Sequence, residues 1–382
     1  MRDTIWNALF ATPHAEVGDL LTALWLRLGA EGVPVKRATV ALRTLHPEIV
    51  GLGYVWEAGQ PMQRNEHAHG EFSLTRFLQS PFRVIFEGGG PLRARLEGHA
   101  PLPFPVLDEL RARGMTDYVA LPLVFSTGQI HAVTLATDRA GGFLDDEVRL
   151  FGELACALAV AVEARETRRV ARTLLDAYVG ARAGTEILDG RIQRGDVEMI
   201  DAVVLCCDLR GFTPLSLELA PTEVVALLNE YFELVCAPIA EAGGEVVKFI
   251  GDGLLCTFPI ELQGAQRGCV AALGAARAGL AALRSAKVGA PGRELRMGVA
   301  LHLGEVAFGN LGSRTRLDFT VIGPSVNLVS RLAGLCSRLD QELLVSAAFA
   351  ATLPFGARSL GVHAMRGMVE PPEVFTYDVS SA

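Results

Sequence analysis

Apolar residues recur at helical spacing between Ala8 and Leu28, with Leu20, Leu21, Leu24 and Leu26 marking the pattern, and Gly29, Gly32 and Pro34 close it. The period then shortens. Residues Ala38 to Leu45 and Ile49 to Glu57 read as two strands joined at His46-Pro47, because proline suits a turn better than a strand interior. A polar stretch containing His67 and His69 reads as a solvated loop, since the two histidines have no acidic or cysteine companion at metal-ligand spacing. Pro81 to Glu97, with Gly88-Gly89-Gly90, is expected to be a loop between short strands. Pro105 to Arg113 is expected to be a short helix ending at Gly114. Tyr118 to Phe125 and Gln129 to Thr137 form a hairpin around Ser126-Thr127-Gly128.

A long helix is predicted from Leu144. Asp145, Asp146 and Glu147 complement the dipole in its first turn, and Leu150, Leu154, Leu158 and Val162 carry the pattern towards Tyr178. Such a length suits a helix that joins two domains and pairs with a second copy. Its Arg165, Arg168, Arg169 and Arg172 read as a solvated face. Gly180, Gly184, Gly190 and Gly195 then break the pattern into a partly helical connector.

Beyond it, Ala202 to Cys207 is a continuous apolar run, the mark of a strand buried on both faces, and Asp208 ends it. Leu209-Arg210-Gly211-Phe212-Thr213-Pro214 turns into an amphipathic helix marked by Val224, Leu227, Leu228, Tyr231 and Val235. Gly243 to Phe258 reads as a hairpin whose turn is Gly251-Asp252-Gly253, with the Asp-Gly pair supplying the positive φ that a tight turn needs. Lys248 lies on an otherwise apolar arm of that hairpin, four residues before the carboxylate at its tip. Taken alone, the pair reads as a solvated turn and an outward-facing lysine.

Composition narrows the setting. A chain of 382 residues, half of them apolar, has material for two or three cored domains. A net charge of -8 argues against a general nucleic-acid binder or a basic membrane-surface protein. The seven cysteines include no CxxC pair and read as reduced core residues. Met1 to Trp6 lacks a signal-peptide pattern, and the longest apolar run, Leu154 to Val162, is too short to cross a bilayer, so a cytoplasmic protein without a membrane anchor is expected.

Asp208 at a strand end precedes a glycine-containing turn able to receive phosphate oxygens, although capping of the following helix is an alternative role for its carboxylate. A hairpin tipped by Asp252, paired in the same sheet, would bring a second carboxylate to the same edge. Two carboxylates with no His or Cys nearby suit hard Mg²⁺ or Mn²⁺ and point to two-metal phosphoryl or nucleotidyl transfer.

Three ordered stretches, Asp208 to Thr213, Lys248 to Gly253 and Asp318 to Leu332, resemble the class III nucleotide cyclases across roughly Asp201 to Val379. Within that family the resemblance is to adenylate cyclases of a Thr-variant subgroup, of the soluble bacterial type with an N-terminal regulatory domain. The implied fold class is α+β: a GAF-like α/β sensory domain over residues 1–143, a connecting helix and linker over 144–200, and a ferredoxin-like cyclase domain over 201–382. The resemblance also implies ATP as substrate, 3′,5′-cyclic AMP and pyrophosphate as products, and two Mg²⁺ or Mn²⁺ ions per site. Asp208, Asp252 and the carbonyl of Leu209 match the metal ligands. Asn327 matches the residue that orients the ribose, and Arg331 the one that neutralises phosphate charge in the transition state. Gly211, Phe212, Thr213 and Arg366 match phosphate-side contacts.

Lys248 matches a base-reading residue. It can only donate, which suits adenine N1, an acceptor, whereas guanine presents a donor there. Its partner position is Thr320, where many adenylate cyclases have Asp; neighbouring Asp318 is the alternative. Family sites form between two catalytic domains, so one chain type carrying both residue sets implies a homodimer with two equivalent sites. A small-molecule or protein signal would act on the N-terminal domain. The rival readings are a catalytically silent nucleotide-binding module, a guanylate cyclase, and a diguanylate cyclase, the last disfavoured by Glu245-Val246-Val247 after Gly243-Gly244.

Overall fold

The computed structural model describes residues 5, 6, 9, 16–43, 49–68, 78–261, 263–289, 292–368 and 370–379, and the chain divides into two units, Met1–Leu174 and Leu175–Ala382. The His46-Pro47 turn, His69 and most of the expected first helix before Val17 lie outside the described residues.

The first unit contains α1 (Val17–Ala30), β1 (Arg37–Arg43), β2 (Ile49–Glu57), β3 (Gln63–Ala68), α2 (Pro81–Phe86), β4 (Leu92–Arg95), α3 (Pro105–Ala112), β5 (Asp117–Val124), β6 (Ile130–Thr137) and most of α4 (Asp145–Val179). Its strands form one sheet in the order β3-β2-β1-β6-β5-β4. Period-2 alternation divides the side chains between two cores. Val119, Leu121 and Leu123 of β5 pack with Leu20, Leu24 and Leu28 of α1 and with Leu150, Leu154 and Leu158 of α4. Tyr118 and Ala120 of the same strand face Ile85, Leu107 and Leu110 of α2 and α3.

Three expectations need correction. Leu26 is off the buried stripe of α1, at 60% exposure, and Trp25 is buried instead. The histidine-containing stretch is, as far as Ala68, the strand β3 and not a loop; it is an edge strand whose polar side chains hide the periodicity. The segment from Pro81 begins with a helix, α2. Proline opens it, and Gly88, with φ +83 directly after the C-cap Glu87, ends it.

Two buried polar groups tie this unit together. Asp117, wholly buried, accepts hydrogen bonds from Arg93 Nη2 (2.9 Å) and from the amides of Tyr118 and Phe143 (3.0 Å each). His131, also wholly buried, accepts the Arg43 N–H at Nδ1 (3.0 Å) and lies against Phe125.

The second unit contains α5 (Ala181–Leu188), β7 (Val197–Leu209), α6 (Phe212–Glu218), α7 (Pro221–Glu241), β8 (Glu245–Ile250), β9 (Gly253–Pro259), α8 (Ala265–Ser285), β10 (Met297–Gly312), β11 (Leu317–Ile322), α9 (Pro324–Arg338), β12 (Leu343–Ser346), α10 (Ala347–Thr352), β13 (Arg358–Val362) and β14 (Glu373–Thr376). The sheet runs β13-β14-β12-β10-β7-β9-β8, with β11 paired to β10. β7 is buried on both faces, as its apolar run predicts. Val203, Leu205 and Cys207 enter the core that holds Tyr231 and Val235 of α7 with Ala272 and Leu280 of α8. Ile200, Ala202 and Val204 enter a second core with Val329 and Leu332 of α9. At the start of α5, Gly180 has φ +89, and Glu245 Oε1, from the first residue of β8, accepts the Arg182 amide (2.7 Å). Among the described residues, no helix is long and apolar enough to cross a membrane.

Burial pushes the His131 imidazole down to about 4, opposed only weakly by Glu163. A depressed imidazole contributes stability that is fully present above the usual histidine value and is lost as pH falls towards the folded-state one. Chemical denaturation should therefore show stability falling by roughly 2 kcal/mol between about pH 6.5 and 5. His131→Gln, which keeps an acceptor for the Arg43 amide, should flatten that slope.

Candidate active site

β7 and β9 are antiparallel neighbours, with Cys207 opposite Leu254, so the end of β7 meets the start of β9. The hairpin β8–β9 closes with Ile250 opposite Gly253, leaving Gly251 and Asp252 as a two-residue loop. The turn is therefore displaced from the expected Asp-Gly register. Positive φ falls on Gly251 (+63), as in hairpin turns with glycine at the first central position, while Gly253 is already strand. Gly253 serves another purpose: a Cβ there would lie 2.6 Å from the Cys207 carbonyl oxygen and 3.4 Å from Asp208 Cβ.

This close approach puts the two carboxylates together. Asp252 Oδ2 accepts the Leu209 amide N–H at 3.2 Å. Burial first, and the charge of Asp252 second, push the Asp208 carboxyl above the usual range, while Arg210 pulls it back. The α6 helix is capped at Gly211 (φ +71) without a side-chain bond, so Asp208 is not spent as a helix cap. Arg210 is fixed away from the turn by Asp340 Oδ1 (3.0 Å) and the carbonyls of Cys336 (3.3 Å) and Gln341. Among the described residues there is no group of three or more His, Cys, Asp or Glu side chains able to hold a metal. Two neighbouring carboxylates fit a hard divalent cation whose remaining ligands are backbone, water and substrate oxygens.

A second cluster forms on β8, β11 and α9. Val247 is the extra residue of a bulge, since Val246 pairs with Cys256 and Lys248 with Leu255. Lys248 Nζ forms an ion pair with Asp318 Oδ2, both side chains being nearly half exposed. Asp318 and Thr320 share one face of β11, as two-residue spacing requires. Phe319 points the other way onto Phe308, with ring centroids 4.8 Å apart. Thr320 is buried and Asp318 open to solvent. On α9, Asn327 is exposed and Arg331 follows one turn later. The turn of Met365, Arg366 and Gly367 lies against Arg331, whose Nη2 would be 3.3 Å from a Cβ on Gly367. Among the described residues, no hydrogen bond or ion pair links Lys248, Asn327 or Arg331 to Asp208 or Asp252.

Sequence reasoning missed the packing role of Gly253, the clamp formed by Arg210 and the bond from Glu245 to α5. Gly-Asp-Gly was a usable signal for Gly253, because a second glycine is surplus to a two-residue turn. The other two join residues 130 and 63 positions apart.

Residues 197–377 match the family model for the adenylate and guanylate cyclase catalytic domain. The matched stretch, just under half of the chain, is thus similar to that catalytic domain. The chain is 35% identical over 150 residues to an adenylate cyclase of Anabaena cylindrica, covering 37% of this chain and 29% of that protein. It is 32% identical over 154 residues to adenylate cyclase 1 of Rhizobium meliloti, covering 40% and 23%. The chain therefore spans less than a third of the length of these relatives. A bacterial light-regulated adenylyl cyclase shares the fold, with a TM-score of 0.50 and 21% identity over 68% of this chain and 86% of that one.

Because its folded-state value is raised, the ionised Asp208 destabilises the metal-free protein, increasingly so as pH rises through that value. Near neutral pH, Asp208→Asn should raise the metal-free melting temperature by roughly 1–3 °C. Mn²⁺ should raise that of the unmodified chain and leave the variant almost unmoved. An equal response to Mn²⁺ in both would exclude the carboxylate pair as its site.

Proposed function

We propose that the second unit is an adenylate cyclase, in which the ribose 3′-oxygen of ATP attacks the α-phosphorus, closing 3′,5′-cyclic AMP and releasing pyrophosphate. The observation that carries this reaction class is the juxtaposition of Asp208 and Asp252 at adjoining strand ends within the matched domain. With the Leu209 carbonyl they would hold two Mg²⁺ or Mn²⁺ ions, which supply Lewis-acid stabilisation of phosphate charge and a more acidic hydroxyl. No side-chain base is then required.

The remaining roles belong to the chain itself. The open pair of Lys248 and Asp318 offers a donor beside an acceptor, matching N1 and the 6-amino group of adenine, with Thr320 as the deeper acceptor. With Lys248 set at the N1 position, guanine would present it with a donor, N1–H, where adenine presents an acceptor. Asn327 orients the ribose, Arg331 and Arg366 bind phosphate charge, and the turn of Gly211, Phe212 and Thr213 supplies further phosphate contacts. We place each site between two copies of the chain, with the carboxylates from one protomer and the base, ribose and phosphate residues from the other. Both residue sets are carried by one chain, so two copies would complete two equivalent sites.

The first unit, a sheet covered by helices on both faces, is proposed to be a GAF-like regulatory domain, and α4 the connecting helix. The seven unpaired cysteines support a reducing, cytoplasmic setting.

Incubating the purified chain with ATP or GTP and Mg²⁺ or Mn²⁺ should yield 3′,5′-cyclic AMP and pyrophosphate, with GTP turned over at least about tenfold less efficiently. No cyclic product from either nucleotide with either metal would end this reading. Asp208→Ala and Arg331→Ala chains should each be inactive alone, and mixing them should restore one intact site per heterodimer. If the mixture is no more active than either variant, the shared site is wrong.

A further inference from the structure

The first unit contains a cavity of about 860 Å³, lined mainly by β1, β2, α2 and α3, with Asn65 and His67 of β3 at its side. This is within the size range of small-molecule sites. Its floor is built by alternate residues of two paired strands: Thr39, Ala41 and Arg43 of β1, and Gly51, Gly53 and Val55 of β2. The register sets Gly53 opposite Ala41 and Gly51 opposite Arg43. The centre of the floor therefore carries one methyl group and two hydrogens, where a strand interior ordinarily carries large side chains. Glycine inside a strand costs stability and marks a place where another group comes close to the backbone. Packing does not explain Gly53, since a Cβ there would meet no atom closer than 3.8 Å. The space is left open.

The wall chemistry narrows what fills it. Phe82 and Phe86 are stacked 6.2 Å apart, and the Arg43 guanidinium lies over the Phe86 ring, 5.4 Å from its centroid. Arg37 is already committed to Glu57 at 3.0 Å. Among the described residues Arg43 has no carboxylate partner, and Glu109 is the only carboxylate among the described lining residues. A guanidinium stacked on an aromatic face is partly desolvated there, yet keeps its N–H edge for a planar acid. A single lining guanidinium without a carboxylate partner among the described residues favours a monoanion over a polyphosphate.

We propose that this cavity binds a small aromatic carboxylate, with its ring over the floor of Ala41 and Gly53 and its acid on Arg43. The test is isothermal titration calorimetry of the full chain with 1-naphthoate and with 1-naphthamide, its uncharged counterpart. The chain should bind one naphthoate, at least about tenfold more tightly than the amide. Arg43→Gln should weaken naphthoate to the level of the amide, with amide affinity changed less than about twofold, and Arg43→Lys should restore part of the difference. Gly53→Leu, filling the floor, should abolish binding of both while the melting temperature is retained. Equal affinity for acid and amide, no saturable naphthoate binding at millimolar concentration, or unchanged binding in Gly53→Leu would each overturn the proposal. If Arg43→Gln fails to fold, the acid-to-amide comparison and the other two variants decide. No nucleotide enters the measurement, so its failure and that of the cyclase reading are separable.

Discussion

Between Gly253 and the carbonyl of Cys207 there is no room for a side chain, and that closeness underlies the chemistry of the second unit. It seats the hairpin tip against the end of β7, where Asp252 takes the Leu209 amide and its charge reaches Asp208. The arrangement is unfavourable for the bare protein, because burial and the neighbouring charge of Asp252 disfavour ionisation of Asp208. It persists because β7 is gripped from both faces by apolar packing along most of its length, and because Arg210, the next charged residue, is tied to the far end of α9. Hydrophobic burial thus holds an electrostatic strain in place, and a cation would relieve it.

The same hairpin carries a different kind of site on its other strand. The bulge at Val247 shifts the alternation of β8, and Lys248 projects to Asp318 on β11. The bulge separates the two functions along one short element: carboxylate geometry at the tip, hydrogen-bond polarity beside it.

Much of this was legible in the chain. The two-faced burial of β7 followed from an uninterrupted apolar run, and the hairpin from glycines between two apolar arms. Its exact turn was not, because Gly251 and Gly253 flank Asp252 symmetrically and only the packing against Cys207 shows which one the turn uses. β3 was unreadable for the opposite reason: an edge strand exposed on its polar side chains carries little periodic signal. α2 was masked by the glycine run that ends it. The meeting of Lys248 with Asp318 joins residues 70 positions apart, and pairing at that range is set by sheet order rather than by local pattern.

The bond between Glu245 and the Arg182 amide has a mechanical meaning. A straight helix through residue 180 requires right-handed φ at Gly180, yet that glycine sits at +89, and a Cβ on it would lie 2.9 Å from Glu245 Oε1. Straightening the helix and keeping the bond are mutually exclusive, since the Arg182 amide would then turn inward to a helical acceptor and leave a half-buried carboxylate without its donor. The bond therefore fastens the break before α5 to the root of β8, the strand that leads into the turn carrying Asp252.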